Sequence, residues 1–400
     1  MFSVAPLLMV LAVSHLSDDL ALVGSFGFAM ITAQLLYFVG IFGAADYQMT
    51  DYARAYTFDD YSRLKIYSSL AMVVSALAVL PWTDSTTEAV TVGLLVLYFV
   101  LCSIGELYQN VFFQNRRLDL YGKSLFYRSL LATLGYTVTM AVSRQVVLSL
   151  TVCLAATAAG LWWWAIRPAR GFVARAPHHE RHRAWQLARQ CLPLFLIAIV
   201  SYSIQVVPRF TIKLMMDNEA LGYFTLYTQP AFVILLVNQF IFRPVLDRYH
   251  RLIDSGDAAA FWRLKRWHLT IMVALTAAVM VFVYLFGVPI MRIVTGVDLA
   301  PVRTEMTLVV AYGGALMMAG LHNWTTTLIR KQKEAFYVHL AVVALSLVVT
   351  PLAVHYHGLM GASLSLVAVL LVLQTALAAV ARHALNRGPF RDARVRSTAP

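Results

Sequence analysis

The stretch Cys191–Asp217 is long and apolar enough to cross a lipid bilayer, yet a line of polar side chains runs through it. A helix rises ~1.5 Å per residue, so about 20 residues cross the ~30 Å hydrocarbon core. Polar residues recur at every fourth position, which places them on one slanting stripe: Ser201, Gln205, Arg209, Lys213 and Asp217. This pattern restricts the fold, because a charge at mid-membrane costs roughly 3 kcal/mol and normally faces protein or water.

Pro208 lies within this stripe and offers no N–H to the carbonyl of Ile204, which predicts a kink or a loosened turn. One interpretation of the stripe is the wall of a water-filled, positively charged cavity. The alternative is that Arg209 and Lys213 extend outward from the last turns of an ordinary span. Amides in two other predicted spans are further candidates for the cavity lining, although amides also join helices to one another. They are Gln34, Gln229 and Asn238.

The composition is that of a polytopic membrane protein. The 400 residues are 60% hydrophobic and 13% charged, about half the charge of a soluble protein of this size. About 12 spans of ~20 residues would occupy roughly 240 positions, which matches the apolar fraction. The predicted spans are 1–16, 23–43, 66–82, 88–110, 124–142, 146–166, 191–215, 220–243, 268–288, 304–328, 336–355 and 359–381.

The net charge of +12 is explained by the orientation of these spans, not by nucleic-acid binding. With the N-terminus inside, cytoplasmic segments hold 27 of the 32 Lys and Arg residues, outer segments hold four, and Arg209 lies in a span. This bias predicts that both termini are cytoplasmic. The three cysteines all fall in apolar spans, which indicates neither a disulfide framework nor a metal site.

Two pairs of short matches indicate an internal repeat. Val23–Phe26 corresponds to Leu221–Phe224 after 198 residues, and Tyr61–Lys65 corresponds to Phe261–Lys265 after 200 residues. Six spans separate the copies, so we predict an all-α protein of two six-helix lobes related by a pseudo-two-fold axis along the membrane normal. The predicted organisation is an N-terminal lobe at 1–166, a basic cytoplasmic linker at 167–190, a C-terminal lobe at 191–381 and a basic cytoplasmic tail at 382–400.

No phosphate-binding loop or nucleophile elbow is present, and the outer loops are short, so the sequence does not predict an enzyme. Four residues are candidates for gating or ion coupling: Asp46, Glu106, Arg243 and His322. Asp46 belongs to an aspartate cluster that could hold Mg²⁺, although its interleaved aromatic residues favour an interfacial helix. Glu106 also fits a span emerging into the cytoplasm. A titrating histidine at position 322 could couple protons to motion, but a hydrogen-bonded structural histidine is commoner.

Six motifs, in this order and spacing, match a known family. They are Val23–Gly27, Gly43–Asp51, Gln114–Asp119, Pro208–Ile212, Leu221–Phe224 and Phe242–Pro244. With these motifs the chain resembles the polysaccharide flippases of the multidrug/oligosaccharidyl-lipid/polysaccharide exporter superfamily. The resemblance implies a bacterial cytoplasmic membrane protein with a cavity lined by spans one, two, seven and eight. A basic residue after Pro208 is typical of this group, and here it is Arg209. The first span departs from related lipid II flippases because it lacks an arginine; His15 is the nearest candidate.

The resemblance further implies that the substrate is an undecaprenyl-diphosphate-linked oligosaccharide, moved from the cytoplasmic to the outer leaflet by alternating access. Its diphosphate would bind Arg209 and Lys213. The expected partners are this lipid-linked glycan, membrane lipids, and the glycan polymerase and glycosyltransferases of the same pathway. No cofactor is expected, and the energy source stays open between an H⁺ or Na⁺ gradient and removal of the product. The alternatives are a multidrug-extruder-like exporter, a membrane glycosyltransferase or polymerase, and a non-transporting scaffold.

Overall fold

The computed structural model describes residues 5–17, 19–51, 55–173, 181–232, 234, 246–329 and 331–387. These residues are helical apart from short turns, which confirms the predicted all-α class. The chain divides into two compact units, Met1–Val206 and Val207–Pro400, and each is described by itself.

The first unit is built from seven helices and the greater part of an eighth within its described residues. They are α1 Ala5–Ser17, α2 Leu20–Ile41, α3 Ala44–Thr50, α4 Phe58–Leu77, α5 Thr86–Gln114, α6 Leu118–Ser143, α7 Val146–Leu161 and α8 Arg181–Met215. Helix α7 continues through a π-helical turn, Trp162–Ile166, into one α-turn, Arg167–Ala169. Helix α5 packs against α2, α4 and α7, while α6 lies against α7 and α1. The long α5 is therefore at the centre of this unit.

The second unit contains the end of α8 and five further helices within its described residues. They are α9 Asn218–Tyr227, α10 Leu246–Asp254, α11 Ala258–Thr295, α12 Arg303–Leu328 and α13 Gln332–Arg387. Helix α12 packs against both α11 and α13. Helix α13 bends at Gly358, where φ is +53° and ψ is −132°, a conformation that only glycine adopts readily. The predicted spans 336–355 and 359–381 lie on either side of this bend.

Among the described residues, eight helices are long and apolar enough to cross a membrane, against twelve spans predicted from the sequence. Four predicted spans account for the difference, and one of them, 220–243, ends in residues outside the described part of the chain. The 54-residue stretch Gln332–Leu385 counts once, although it contains the two predicted spans separated by the bend. Helix α1 has only 13 residues, and α6 is rich in Ser, Thr, Tyr and Gly, which lower its hydropathy. The chain is a multi-pass membrane protein by these helices.

Helices α4 and α11 share one pattern of burial, 200 residues apart. Both begin one residue after a side chain that caps the helix, Thr57 in α4 and Asp257 in α11. The side chains buried at equivalent positions are Tyr61 and Phe261, Leu64 and Leu264, Lys65 and Lys265, Ser68 and His268, Met72 and Met272, and Ala76 and Thr276. Each of these helices therefore presents the same face, including a buried lysine, to its own unit, which is what a duplicated sequence predicts.

The aspartate cluster before α4 serves the backbone. Asp60 forms a capping box with Thr57 at the start of α4. The carboxylate of Asp51 accepts hydrogen bonds from the N–H groups of Ala55 and Tyr56, and from the hydroxyl of Tyr61 at 3.0 Å. The carboxylates of both aspartates are thus already hydrogen-bonded within the first unit.

Candidate functional site

Arg209 is buried in the second unit, with 7% of its surface exposed. Its Nη2 donates to Oγ1 of Thr228 at 3.2 Å, and its guanidinium carbon lies 5.3 Å from the centre of the Phe224 ring. Both partners belong to α9 or the residue that follows it. This burial rules out the outward-pointing alternative for Arg209, and the ring and hydroxyl hold a permanent cation in place within a membrane helix.

The rest of the polar stripe has several different environments. Helix α8 is helical on both sides of Pro208. Ser201 donates to the carbonyl of Ile197 in its own helix at 2.6 Å, and Gln205 is half-buried. Lys213 is also half-buried, and its Nζ lies 3.0 Å from Oδ1 of Asn218.

Asp217, which the four-residue spacing assigns to the stripe, lies beyond the end of α8. Its Oδ1 accepts from the N–H of Ala220 at 2.7 Å and caps α9. Extending the α8 stripe to Asp217 is therefore wrong. The physical reason is that an aspartate at this position relieves the unpaired N–H groups of the next helix.

The predicted amides lie in ordinary packing positions where the structure describes them. The Gln34 side-chain oxygen accepts from the hydroxyl of Tyr202 at 2.6 Å, which joins α2 to α8 within the first unit. Gln229 donates to the carbonyl of Thr225 at 2.7 Å. Asn238 and Arg243 lie outside the described residues, so their predicted roles stay untested.

A cavity of about 60 Å³ lies inside the first unit. Its polar lining includes Tyr37 of α2, Glu106 of α5, and Tyr121 and Arg128 of α6. The volume accommodates a few water molecules, since a single water needs about 10–15 Å³. We call it the Glu106–Arg128 chamber. Sequence reasoning selected Glu106 but did not bring these helices together around it.

Opposite charges face this chamber without touching. Tyr37 donates its hydroxyl to Oε1 of Glu106 at 2.7 Å, whereas Oε2 of Glu106 is buried and has no hydrogen-bond partner among the described residues. Arg128 is 6% exposed, and its Nη1 likewise has no partner in the described part of the chain. A buried polar atom without a hydrogen bond is expensive, and the chamber is large enough for water to reach both groups.

Two glycines make room for Arg128. A Cβ added at Gly105 of α5 would overlap Nη1 of Arg128, and one added at Gly160 of α7 would lie 3.2 Å from the Arg128 Cα. The guanidinium therefore crosses directly over the backbone of α5. No local spacing in the sequence predicts this, because the three residues belong to three separate helices.

Lys65 is a second buried cation of the first unit. Its Nζ donates to Oγ of Ser103 at 2.9 Å and to the carbonyl of Gly40 at 3.2 Å, in the last turn of α2. Lys65 and Arg128, which the charge count assigns to cytoplasmic segments, are therefore buried side chains of α4 and α6. Both lie near the ends of predicted spans, where hydropathy marks a boundary but does not resolve which helix face is buried.

The second unit also buries a histidine and a lysine. His322 of α12 is 6% exposed and its Nδ1 has no partner among the described residues. Lys265 of α11 is 2% exposed, with its Nζ 5.4 Å from the centre of the Trp262 ring. Asp46 differs, because it lies exposed in the first turn of α3. Within the described residues, no group of three His, Cys, Asp or Glu side chains could hold a metal ion.

The Glu106–Arg128 chamber gives a testable coupling. Replacing Arg128 with Gln should leave the carboxylate of Glu106 without the opposite charge across the chamber. Breaking a buried ion pair in contact costs about 3–5 kcal/mol. Because these two groups do not touch and Glu106 is only partly buried, we expect a loss below that range. The Glu106→Gln/Arg128→Gln double variant should recover part of this loss, with a coupling of about 1–3 kcal/mol. Thermal unfolding of the four proteins in one detergent measures it, and strictly additive losses would contradict the pairing.

No family model and no curated protein matches the sequence. Solved structures of similar fold do match. An inward-facing multidrug resistance MATE family transporter of the MOP superfamily aligns with 100% of this chain and 97% of its own, at a TM-score of 0.69 and 13% identity. The lipid II flippase MurJ, in an inward closed conformation, aligns with 98% of this chain and 89% of its own, at a TM-score of 0.67 and 12% identity. The chain has the fold of these transporters.

A third structure adds another multidrug transporter to the comparison. The MATE multidrug transporter DinF-BH, solved as a complex, aligns with 97% of this chain and 93% of its own, at a TM-score of 0.62 and 15% identity. The shared fold thus covers multidrug transporters and a lipid II flippase alike. At these identities it establishes the architecture, and the substrate has to be argued from the residues.

Proposed function

We propose that the chain is a flippase that moves an undecaprenyl-diphosphate-linked oligosaccharide from the cytoplasmic to the outer leaflet of a bacterial cytoplasmic membrane. It would do so with twelve spans in two six-helix lobes that alternate in access. The observation that carries the proposal is the buried guanidinium of Arg209. Between 191 and 215, the stretch contains Arg209 and Lys213 but no Asp or Glu, and guanidinium and ammonium donors suit a phosphorylated headgroup.

The packing of Arg209 supports this role. Thr228 takes one nitrogen and the Phe224 ring covers the cation, so the side chain is oriented before any ligand arrives. A pre-oriented guanidinium loses little entropy when it binds phosphate. Lys213 lies one turn after Arg209 in α8 and supplies a second cation on the same side of the helix. Its Nζ is close to the side chain of Asn218 at the start of α9. The proposed cavity lining also keeps Ser201, Gln205, Gln34, Gln229 and Asn238.

Multidrug export is the second candidate, since multidrug transporters are among the proteins of similar fold. An exporter of organic cations needs an accessible carboxylate. The carboxylate of Glu106 shares its chamber with Arg128, which opposes the entry of a cation. We therefore rank this function below the flippase. A drug-resistance assay on an overexpressing strain separates the two.

We further propose that Glu106 is a coupling residue of the first lobe, with Asp46, Arg243 and His322 as the other gating candidates. Its support is that one carboxylate oxygen is held by Tyr37 while the other faces the Glu106–Arg128 chamber. A proton is a better coupling ion here than Na⁺. Sodium needs several oxygen ligands and would be repelled by the guanidinium of Arg128.

Reconstituted protein tests the flippase directly. Proteoliposomes that carry a lipid-linked oligosaccharide in both leaflets are treated from outside with a glycosidase that cannot cross the membrane. With active protein we expect nearly all of the glycan to be cleaved, while empty vesicles should stop at about half. Cleavage that stays at half with folded protein would contradict the proposal, and export of a fluorescent cationic drug from the same vesicles would favour the alternative.

A further inference from the structure

The end of α7 carries two arginines stacked on tryptophans at the surface of the first unit. The guanidinium carbon of Arg167 lies 4.9 Å from the centre of the Trp163 ring, and that of Arg170 lies 4.7 Å from the centre of the Trp162 ring. Both arginines are exposed. The indole of Trp163 is 53% exposed and that of Trp162 is 45% exposed. We call these four residues the Trp–Arg clamp.

The helix itself fixes the direction of the clamp. Ala165 and Ala169 are fully buried four residues apart, so this side of the helix faces the unit. The π-helical turn Trp162–Ile166 alters the local register, and such turns often accompany functional sites. Tyr127 of α6 stacks on Trp164, with ring centres 5.1 Å apart. The aromatic run is therefore anchored on one side and open on the other.

Neither arginine of the clamp forms an ion pair within the described part of the chain. The nearby Arg117 offers a contrast, because its Nη2 lies 2.9 Å from Oδ2 of Asp119. Hydrogen bonding from Arg117 lowers the pKa of Asp119 to about 2, so this arginine already has a carboxylate partner. The stacked guanidinium groups of Arg167 and Arg170 have in-plane N–H donors that can bind a further partner at this end of α7.

The location indicates what that partner is. The clamp ends a helix that is apolar and long enough to cross the membrane, Val146–Ala169. Exposed indoles at the end of such a helix prefer the headgroup region of the bilayer. A guanidinium stacked on an indole has one face covered and presents its edge, which matches two oxygens of a phosphate. Arginines three residues apart are neighbours on the helix, about 5 Å from each other along the axis.

We propose that the Trp–Arg clamp is a binding site for an anionic phospholipid of the surrounding membrane, with Arg167 and Arg170 holding the headgroup phosphate and the indoles of Trp162 and Trp163 lying against the glycerol region. The proposal is independent of the substrate that the protein transports. The lipid would stay bound at the exposed surface of the first unit, where these four side chains lie.

The chain contains a matched control for this site. Arg263 and Arg266 are also three residues apart, both exposed, at the end of the membrane-crossing helix Ala258–Thr295 and beside the exposed Trp267. No cation–ring contact involves either of them in the described residues. The two pairs thus have the same charge, spacing and exposure, and differ in the stacking that would hold the guanidinium groups in place.

Native mass spectrometry of the purified protein, with added phosphatidylglycerol or phosphatidylcholine, measures the bound lipid. We expect wild type to retain phosphatidylglycerol at least ~10-fold more tightly than phosphatidylcholine. Arg167→Gln/Arg170→Gln should lose ~10-fold or more of this affinity, as expected for two charge-assisted hydrogen bonds. Arg263→Gln/Arg266→Gln should change it less than ~2-fold, because exposed charges without fixed geometry contribute little.

A third variant tests the stacking. Trp162→Leu/Trp163→Leu keeps both charges and should still weaken phosphatidylglycerol binding ~3-fold or more, through lost cation–ring contacts. Equal losses from the two arginine pairs, or full retention in either clamp variant, would overturn the proposal. So would displacement of phosphatidylglycerol from the clamp by one equivalent of an undecaprenyl-diphosphate lipid, because the site would then belong to the substrate. Unchanged thermal midpoints show that the variants are folded.

Discussion

Replacing Arg209 with Met is expected to reduce the transport of lipid-linked glycan ~10- to 100-fold while the protein still folds. The substitution removes charge-assisted hydrogen bonds to phosphate, each worth about 1.5–3 kcal/mol. Methionine keeps an apolar side chain against Phe224 and removes a buried charge, a change that often leaves stability intact. The protected-glycan assay in proteoliposomes gives the rate, and thermal unfolding shows whether the variant is folded.

Two control variants separate binding from packing at this position. Arg209→Lys keeps the charge but loses the bidentate geometry, so an intermediate rate is expected. Thr228→Val removes the hydroxyl that accepts from Nη2 of Arg209 and leaves the guanidinium in place, so its rate should fall less than that of Arg209→Met. Wild-type transport by a folded Arg209→Met protein would show that the arginine is a structural cation and would remove the main support for the flippase.

Replacing Gly361 with Ala is expected to destabilise the second unit by about 3 kcal/mol or more, at or above the upper end of the usual cost of overpacking. A Cβ at this position would overlap the backbone carbonyl of Ala353 in the preceding part of α13, and would lie 3.0 Å from the backbone nitrogen of Val354. A backbone cannot swing aside as the end of a side chain can, so the bend at Gly358 would have to open. Overpacking costs about 1–3 kcal/mol even where side chains can adjust.

Gly320 provides the matched control, since nothing lies within 4 Å of a Cβ added there. It lies inside α12, where Gly→Ala generally stabilises a helix by up to about 1 kcal/mol. Gly320→Ala should therefore melt at or slightly above the wild-type temperature, and Gly361→Ala several degrees below it. A Gly361→Ala protein that melts with wild type would mean that the bend is not as tight as described.

The polar stripe of α8 shows what helical spacing can and cannot predict. The four-residue spacing placed Arg209 correctly on a membrane helix, because helical phase is a local property of the chain. The same spacing carried the stripe on to Asp217, where the chain leaves the helix and the aspartate caps α9 instead. Periodicity describes a face of a helix but does not fix where the helix ends, which depends on how the next helix begins.

In the two matched segments, by contrast, the sequence pattern agreed with the burial seen in the structure. Short matches such as Tyr61–Lys65 and Phe261–Lys265 predicted two equivalent helices, and six buried positions of α4 are also buried in α11. The matches contain both the buried positions and the exposed ones between them. They also indicated that Lys65 and Lys265 are equivalent, although both lie just outside the predicted spans 66–82 and 268–288. The hydrogen bonds of Lys65 follow only from its neighbours, here Gly40 and Ser103.

The sequence alone determined that this is a helical multi-pass membrane protein with a cation within a membrane helix, because length, hydropathy and phase are local properties. Only the tertiary structure decided that Glu106 and Arg128 face one chamber, that Gly105 makes room for the guanidinium, and that Thr228 and Phe224 hold Arg209. Those contacts join helices that are distant in sequence or separated by a turn, and packing selects them by shape and charge after the helices have formed.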